Sequence, residues 1–189
     1  QDSGIPIFGE GQQGPTQVKP HPKVPFADED VRQFALEIAQ DERRHVVFIR
    51  ETLQALGATP VAKPTIDLNN SWDALAQAAG IASTFNPFAN DINVLLGAFV
   101  FEDVGVTAYR GAAPLLTNKQ VLSDAAGLLG AEAYHASHIR TPLSLQHSQQ
   151  TITDKRKISN PRDALDPDGD DEQHTVLNGP PTTVHTYKT

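Results

Sequence analysis

Three stretches of this sequence carry an apolar residue at every third or fourth position, and each breaks its own seam near the middle with a glutamate. The first seam is Phe34, Ile38, Glu42, His45, Ile49, Leu53 and Leu56. The second is Ile92, Leu95, Phe99, Glu102, Val106, Tyr109, Ala113 and Leu116. The third is Val121, Ala125, Leu128, Glu132, His135 and Ile139. Steps that alternate between three and four are the rhythm of a helix face turned towards a core. Three such helices in one chain predict an all-α fold of the four-helix-bundle type.

The interruptions say what that core holds. Burying one ionised carboxylate without compensation costs several kcal/mol, roughly, and three facing each other repel as well. A pair of cations resolves all three at once. Two of the glutamates are followed three residues on by histidine, as Glu42-x-x-His45 and Glu132-x-x-His135. That spacing puts both side chains on one helix face, one turn apart. A carboxylate oxygen and an imidazole nitrogen then reach a single ion. One glutamate from each of two helices and Glu-x-x-His from each of two others is the ligand set of di-iron and di-manganese bundles. The expected metal ligands are therefore Glu42, His45, Glu102, Glu132 and His135. A single Glu-x-x-His means little, because both residues commonly lie on a solvated face. Two copies and a lone glutamate, all in phase with apolar seams, carry the reading. The chain has no Cys, and carboxylate-rich ligation favours iron or manganese over a thiolate zinc site. Two iron or manganese ions are expected and no organic cofactor.

Prolines and caps set the boundaries. Residues 1–27 hold Pro6, Pro15, Pro20, Pro22 and Pro25, too many for a helix, and are read as an extended loop without strand pattern. Asp28 caps the first helix, Glu29 and Asp30 suit the positive end of its dipole, and Gly57 and Pro60 end it. Ser71 is expected to cap a short helix over 72–80 carrying Trp72. The next long helix spans about Asn90 to Ala113. The last runs from about Lys119 to Arg140, stopping before Pro142. A short helix near 144–153 is possible, and 159–189 reads as an irregular tail. The resulting division is a loop over 1–27, a helical bundle over 28–153 and a tail over 154–189. The bundle template needs a fourth helix with a fourth carboxylate. Neither is found in 1–27, so both are expected upstream of Gln1, in a chain that contains no Met even at position 1. Without that helix an apolar face stays open, and other protein chains are expected to cover it.

Three segments carry a closer resemblance. They are Phe34 to Ala39 with Asp41-Glu42-Arg43-Arg44-His45, then Leu95 to Tyr109 around Glu102, then Ala131-Glu132-Ala133-Tyr134-His135. Together they resemble the exported ferritin-like domain proteins, a family grouped with desiccation-related proteins of plants and bacteria and stress-induced fungal relatives. The resemblance runs from about residue 4 to about residue 168 and includes the Asn160 to Asp166 stretch. It implies a di-metal carboxylate bundle outside the cytoplasm, periplasmic or extracellular, associated with stress. Family members usually carry a helix with a Glu-Tyr-type motif before this chain's opening loop, and bacterial ones often a twin-arginine signal; neither is in this sequence.

The remaining signals are weaker. Tyr109 and Tyr134 are expected beside the ligands, with a hydroxyl bonding a ligand carboxylate. His138 reads as a polar partner or surface residue, Asp103 as facing a neighbouring helix, and Arg43, Arg44 or Arg110 as further neighbours of the site. The acidic run Asp166 to Asp171 lacks glycine at the sixth loop position and the distal glutamate of a calcium loop. Asn69-Asn70-Ser71 is a glycosylation sequon, meaningful for a secreted eukaryotic protein. A net charge of −8 argues against a nucleic-acid partner. No apolar run is read as long enough to cross a bilayer, which takes roughly 20 residues. Two functions compete: a di-metal oxidoreductase of the ferroxidase, oxidase or catalase kind, and a structural or accessory subunit that uses the fold for docking. Metal sequestration without turnover is a third.

Overall fold

The computed structural model describes residues 4–145, 153–154 and 157–158. Its elements are β1 (Thr16–Val18), α1 (Glu29–Ala55), β2 (Ile66–Leu68), α2 (Asn70–Ala78), α3 (Asp91–Ala112), a 3-10 turn (Ala113–Leu115) and α4 (Lys119–Leu145). The fold is all-α, with the three long helices at the positions the seams predict.

The caps explain most boundaries. The Asp28 carboxylate accepts from the Asp30 and Val31 amides and starts α1. Gly57 ends it at a φ of 79°, a left-handed conformation that glycine adopts without strain. Asn90 caps α3 by accepting from Asn93 N. Asp91 accepts from the Ala27 and Asp28 amides, which ties the start of α3 to the start of α1. The short helix begins two residues before its expected position and is not capped by Ser71. The Asp67 carboxylate instead accepts from the Asn69 and Asn70 amides at 2.8 Å each.

Two further boundaries differ from expectation. Residues 1–27 are not loop alone: β1 pairs in parallel with β2, Thr16 opposite Ile66 and Val18 opposite Leu68. A bridge joins Glu10 to Val61. All three β1 residues are exposed, so the strand has no alternating face to leave in the sequence. Its partner lies about fifty positions away. Gly14 allows the close approach, since a Cβ there would lie 2.2 Å from Thr65 Oγ1. Lys63 Nζ donates to Gly14 O at 2.6 Å. Arg50 donates to the carbonyls of Phe8 and Val61. These bonds pin the N-terminal segment to the α1–α2 connection.

The second difference is α4, which passes through Pro142 to Leu145. An interior proline costs a helix about 3 kcal/mol. Ile139 and Leu143, on either side of it, are both at 0% exposure. Burying such a side chain is worth about 1.5–3 kcal/mol each, enough to offset the lost amide. Most of the 144–153 expectation and all of the 159–189 tail lie outside the described residues.

The core joins Val31 of α1, Leu95, Leu96 and Phe99 of α3, and Ile139 and Leu143 of α4. α4 packs along α3 and also meets α1. Trp72 of α2 lies against Phe85 and Phe101, in a space left by Gly97, where a Cβ would be 3.3 Å from the indole. Along α1 and at its C-cap, Val46, Ile49 and Leu56 stay 43%, 36% and 54% exposed, although Ile49 and Leu56 belong to the seam. Among the described residues there is no fourth long helix over them. α3 with its 3-10 extension, Asp91–Leu115, is long and apolar enough to cross a membrane by length and composition, contrary to the expectation that no run is. Glu102 and Asp103 lie near its middle, 4% and 2% exposed, and bond to α4.

Candidate metal centre

The five expected ligands come together between α1, α3 and α4. Their atoms form two overlapping groups, Glu42, His45 and Glu132, and Glu42, Glu102 and His135, with the ligand atoms of each group within 4.8 Å of one another. Glu42 belongs to both. His45 Nδ1 is 3.1 Å from Glu42 Oε1 and 3.2 Å from Glu132 Oε1. His135 Nδ1 is 3.1 Å from Glu102 Oε2 and 3.5 Å from Glu42 Oε1. The two imidazoles stack with centroids 6.0 Å apart. His135 and Glu102 are buried, whereas the Glu42 side chain is 41% exposed, so the cluster opens on the Glu42 side.

The electrostatics match the count of carboxylates. Burial, then the charges of Glu42 and Glu132, push the Glu102 carboxyl up to about 8. Burial and Glu42 raise Glu132 as well. Tyr109, half-buried, is raised by burial and then by Glu132 and Glu42, which puts its hydroxyl in the field of the cluster. Two buried atoms, Glu42 Oε1 and His45 Nδ1, face each other at 3.1 Å without hydrogen-bond alignment. Buried polar atoms are nearly always bonded. A cation between these two, drawing on three carboxylates and two imidazoles, satisfies both atoms and the repulsion together. The residues present therefore fit a metal.

Asp41, which is not among the expected ligands, holds the other side of His135. Its Oδ2 is 3.3 Å from His135 Nε2, and Arg44 donates to its Oδ1 at 2.7 Å. Burial works against the charge of Asp41, but His135 and Arg44 outweigh it and hold the carboxyl below its usual range. With the ring proton on Nε2 and donated to Asp41, the Nδ1 lone pair faces Glu42 and Glu102, the orientation a metal-binding imidazole needs. Asp41→Ala is expected to weaken metal binding about 10–100-fold with little change in helix content, measured by metal titration and circular dichroism. The signal available in the sequence was the carboxylate directly before Glu42.

Other expectations resolve differently. Tyr134 does not bond a ligand. Its hydroxyl donates to Glu37 Oε1 at 3.1 Å on the surface, because residue 134 points about 100° away from His135 on the helix. His138 packs edge-on against Phe34 and at a tilt against Tyr134. Asp103 faces α4, where Arg140 donates to it at 2.7 Å. Arg44 acts through Asp41.

With that geometry, similarity to known proteins is informative. A model of the ferritin-like domain matches residues 11–145, most of the chain and every cluster residue. The chain belongs to the ferritin-like domain family. Among curated proteins, this ferritin-like chain is similar to desiccation-related protein PCC13-62 of Craterostigma plantagineum, 32% identical over 142 residues. The match takes in 73% of this chain and 42% of the relative, so the chain spans about two-fifths of that protein's length. No solved structure matches it.

Proposed function

We propose that this ferritin-like chain holds two iron or manganese ions between α1, α3 and α4 and serves in stress protection as an oxidoreductase acting on oxygen or peroxide. The reading is carried by the buried, unsatisfied pair Glu42 Oε1 and His45 Nδ1 within a cluster of three carboxylates. Glu42, which belongs to both groups, would hold the ions together with His45 and Glu132 on one side and His135 and Glu102 on the other. Bound iron or manganese supplies one-electron redox chemistry. The chain's own part is to orient and to manage protons. Asp41 fixes His135, and Glu102 holds a proton that metal binding must displace. An exported location accords with the resemblance to the desiccation-related relatives.

Metal content of natively purified protein, by elemental mass spectrometry, is expected to be about two iron or manganese ions per chain. A transition-metal content near zero in protein never exposed to chelator sinks the reading. Affinity is expected to rise as pH rises from 6 towards about 8, because the Glu102 carboxyl, pushed up to about 8, must lose its proton to ligate.

A second reading, a docking subunit, is favoured by the exposure of Val46 and Ile49 on α1 and of Leu56 at its C-cap. It predicts a stable larger assembly in solution that forms equally well without metal, readable by light scattering after chelation.

A further inference from the structure

Gly105 stands one turn after Glu102 on α3, at the place where α1 and α4 carry histidine after their glutamates. It lies inside the helix Asp91–Ala112, where glycine is less stable than alanine. Its use there therefore calls for a reason. A Cβ at this position would lie 2.2 Å from Glu132 Oε2 and 2.8 Å from Glu132 Cδ. Gly111, two turns further on the same helix, would meet nothing within 4 Å. The other oxygen of the same carboxylate, Oε1, is 3.2 Å from His45 Nδ1. Glu132 thus reaches from α4 with one oxygen against the bare backbone of α3 and the other against the imidazole of α1.

We propose that Gly105 is a positioning residue of the metal centre: its missing side chain is the seat that holds the Glu132 carboxylate against His45. The inference rests on the di-metal reading. It separates the two ligand groups. Glu42, His45 and Glu132 depend on the seat, whereas Glu42, Glu102 and His135 do not contain Glu132. The crowded atoms are the end of a flexible side chain, so a methyl group at 105 moves the carboxylate and leaves the helix in place. One ion loses a ligand and the other keeps its set.

The test is Mn(II) titrated into the metal-free full chain, wild type and Gly105→Ala, read by native mass spectrometry and paramagnetic resonance. The wild type is expected to take two ions with a coupled, dinuclear spectrum. Gly105→Ala is expected to keep one ion at wild-type affinity, to bind the second at least about tenfold more weakly, and to give a mononuclear spectrum at one equivalent. Its melting temperature without metal should equal or exceed that of the wild type. Gly111→Ala should keep both ions. In a Glu132→Gln background, adding Gly105→Ala should change metal binding no further. Unchanged binding of two ions by Gly105→Ala overturns the inference and leaves the di-metal reading standing. So does loss of both ions together with a lowered melting temperature, which marks a purely structural glycine. A wild type that binds no Mn(II) overturns the di-metal reading, and the seat with it.

Discussion

Glu102→Gln is expected to stabilise the metal-free chain at pH 7 by about 2 kcal/mol and to cost it about a hundredfold in metal affinity. Both effects come from one carboxyl. In the folded chain Glu102 is pushed up to about 8 from an ordinary value of 4.5, first by burial and then by Glu42 and Glu132. Between those two values the folded state keeps a proton that the unfolded state has released. Stability without metal therefore falls as pH rises through that window, and below it the difference disappears. Glutamine carries no such cost, so the gap between variant and wild type should be open at pH 7 and nearly closed at pH 4, below the ordinary value of 4.5. The figure is kept to about 2 kcal/mol because the cluster opens to solvent beside Glu42, which is 41% exposed, and water screens the repulsion. Denaturant unfolding at the two pH values, after chelation, measures it. A gap that does not change between them would mean that Glu102 is not the group holding the proton. Adding Mn(II) should reverse the order of stability, since only the wild type gains the binding energy of both ions.

Arg140→Ala is expected to cost about 3–5 kcal/mol, close to half the stability of an ordinary domain. Asp103 is 2% exposed on the central helix, and the Arg140 guanidinium donates to it at 2.7 Å while lying over the Phe99 ring at 5.5 Å. Removing the arginine withdraws its charge and its packing together from a buried carboxylate in the α3–α4 interface. Asp103→Asn should recover a large part of the loss when combined with Arg140→Ala, because the amide needs no counter-charge. Chemical denaturation of the two single variants and the double variant yields the coupling. If the singles simply add, the pair is not a unit. The pair also fixes the register of α3 on α4 one residue from Glu102. Arg140→Lys, which keeps the charge but not the planar fork, should therefore lower metal affinity more than it lowers stability.

The long helices, their caps and the five candidate ligands follow from local rules that act within a few residues: seam spacing, Asp28 and Asn90 as caps, Gly57 as a stop, and glutamate–histidine pairs one turn apart. These are properties of a single helix, so the sequence determined them and the all-α fold with them. What depends on contact between distant segments could not be read there. β1 is three exposed residues whose partner is fixed by backbone bonds to β2. α4 runs through Pro142 because Ile139 and Leu143 are buried against other helices, a gain that no local propensity contains. Asp41 behind His135, Tyr134 turned out to Glu37, and Gly105 beneath Glu132 are each decided by which helix lies opposite. A helix specifies its own faces through its period, but only packing specifies what each face meets. The kinds of candidate ligand were therefore legible from the chain, while their mutual geometry belongs to the tertiary structure.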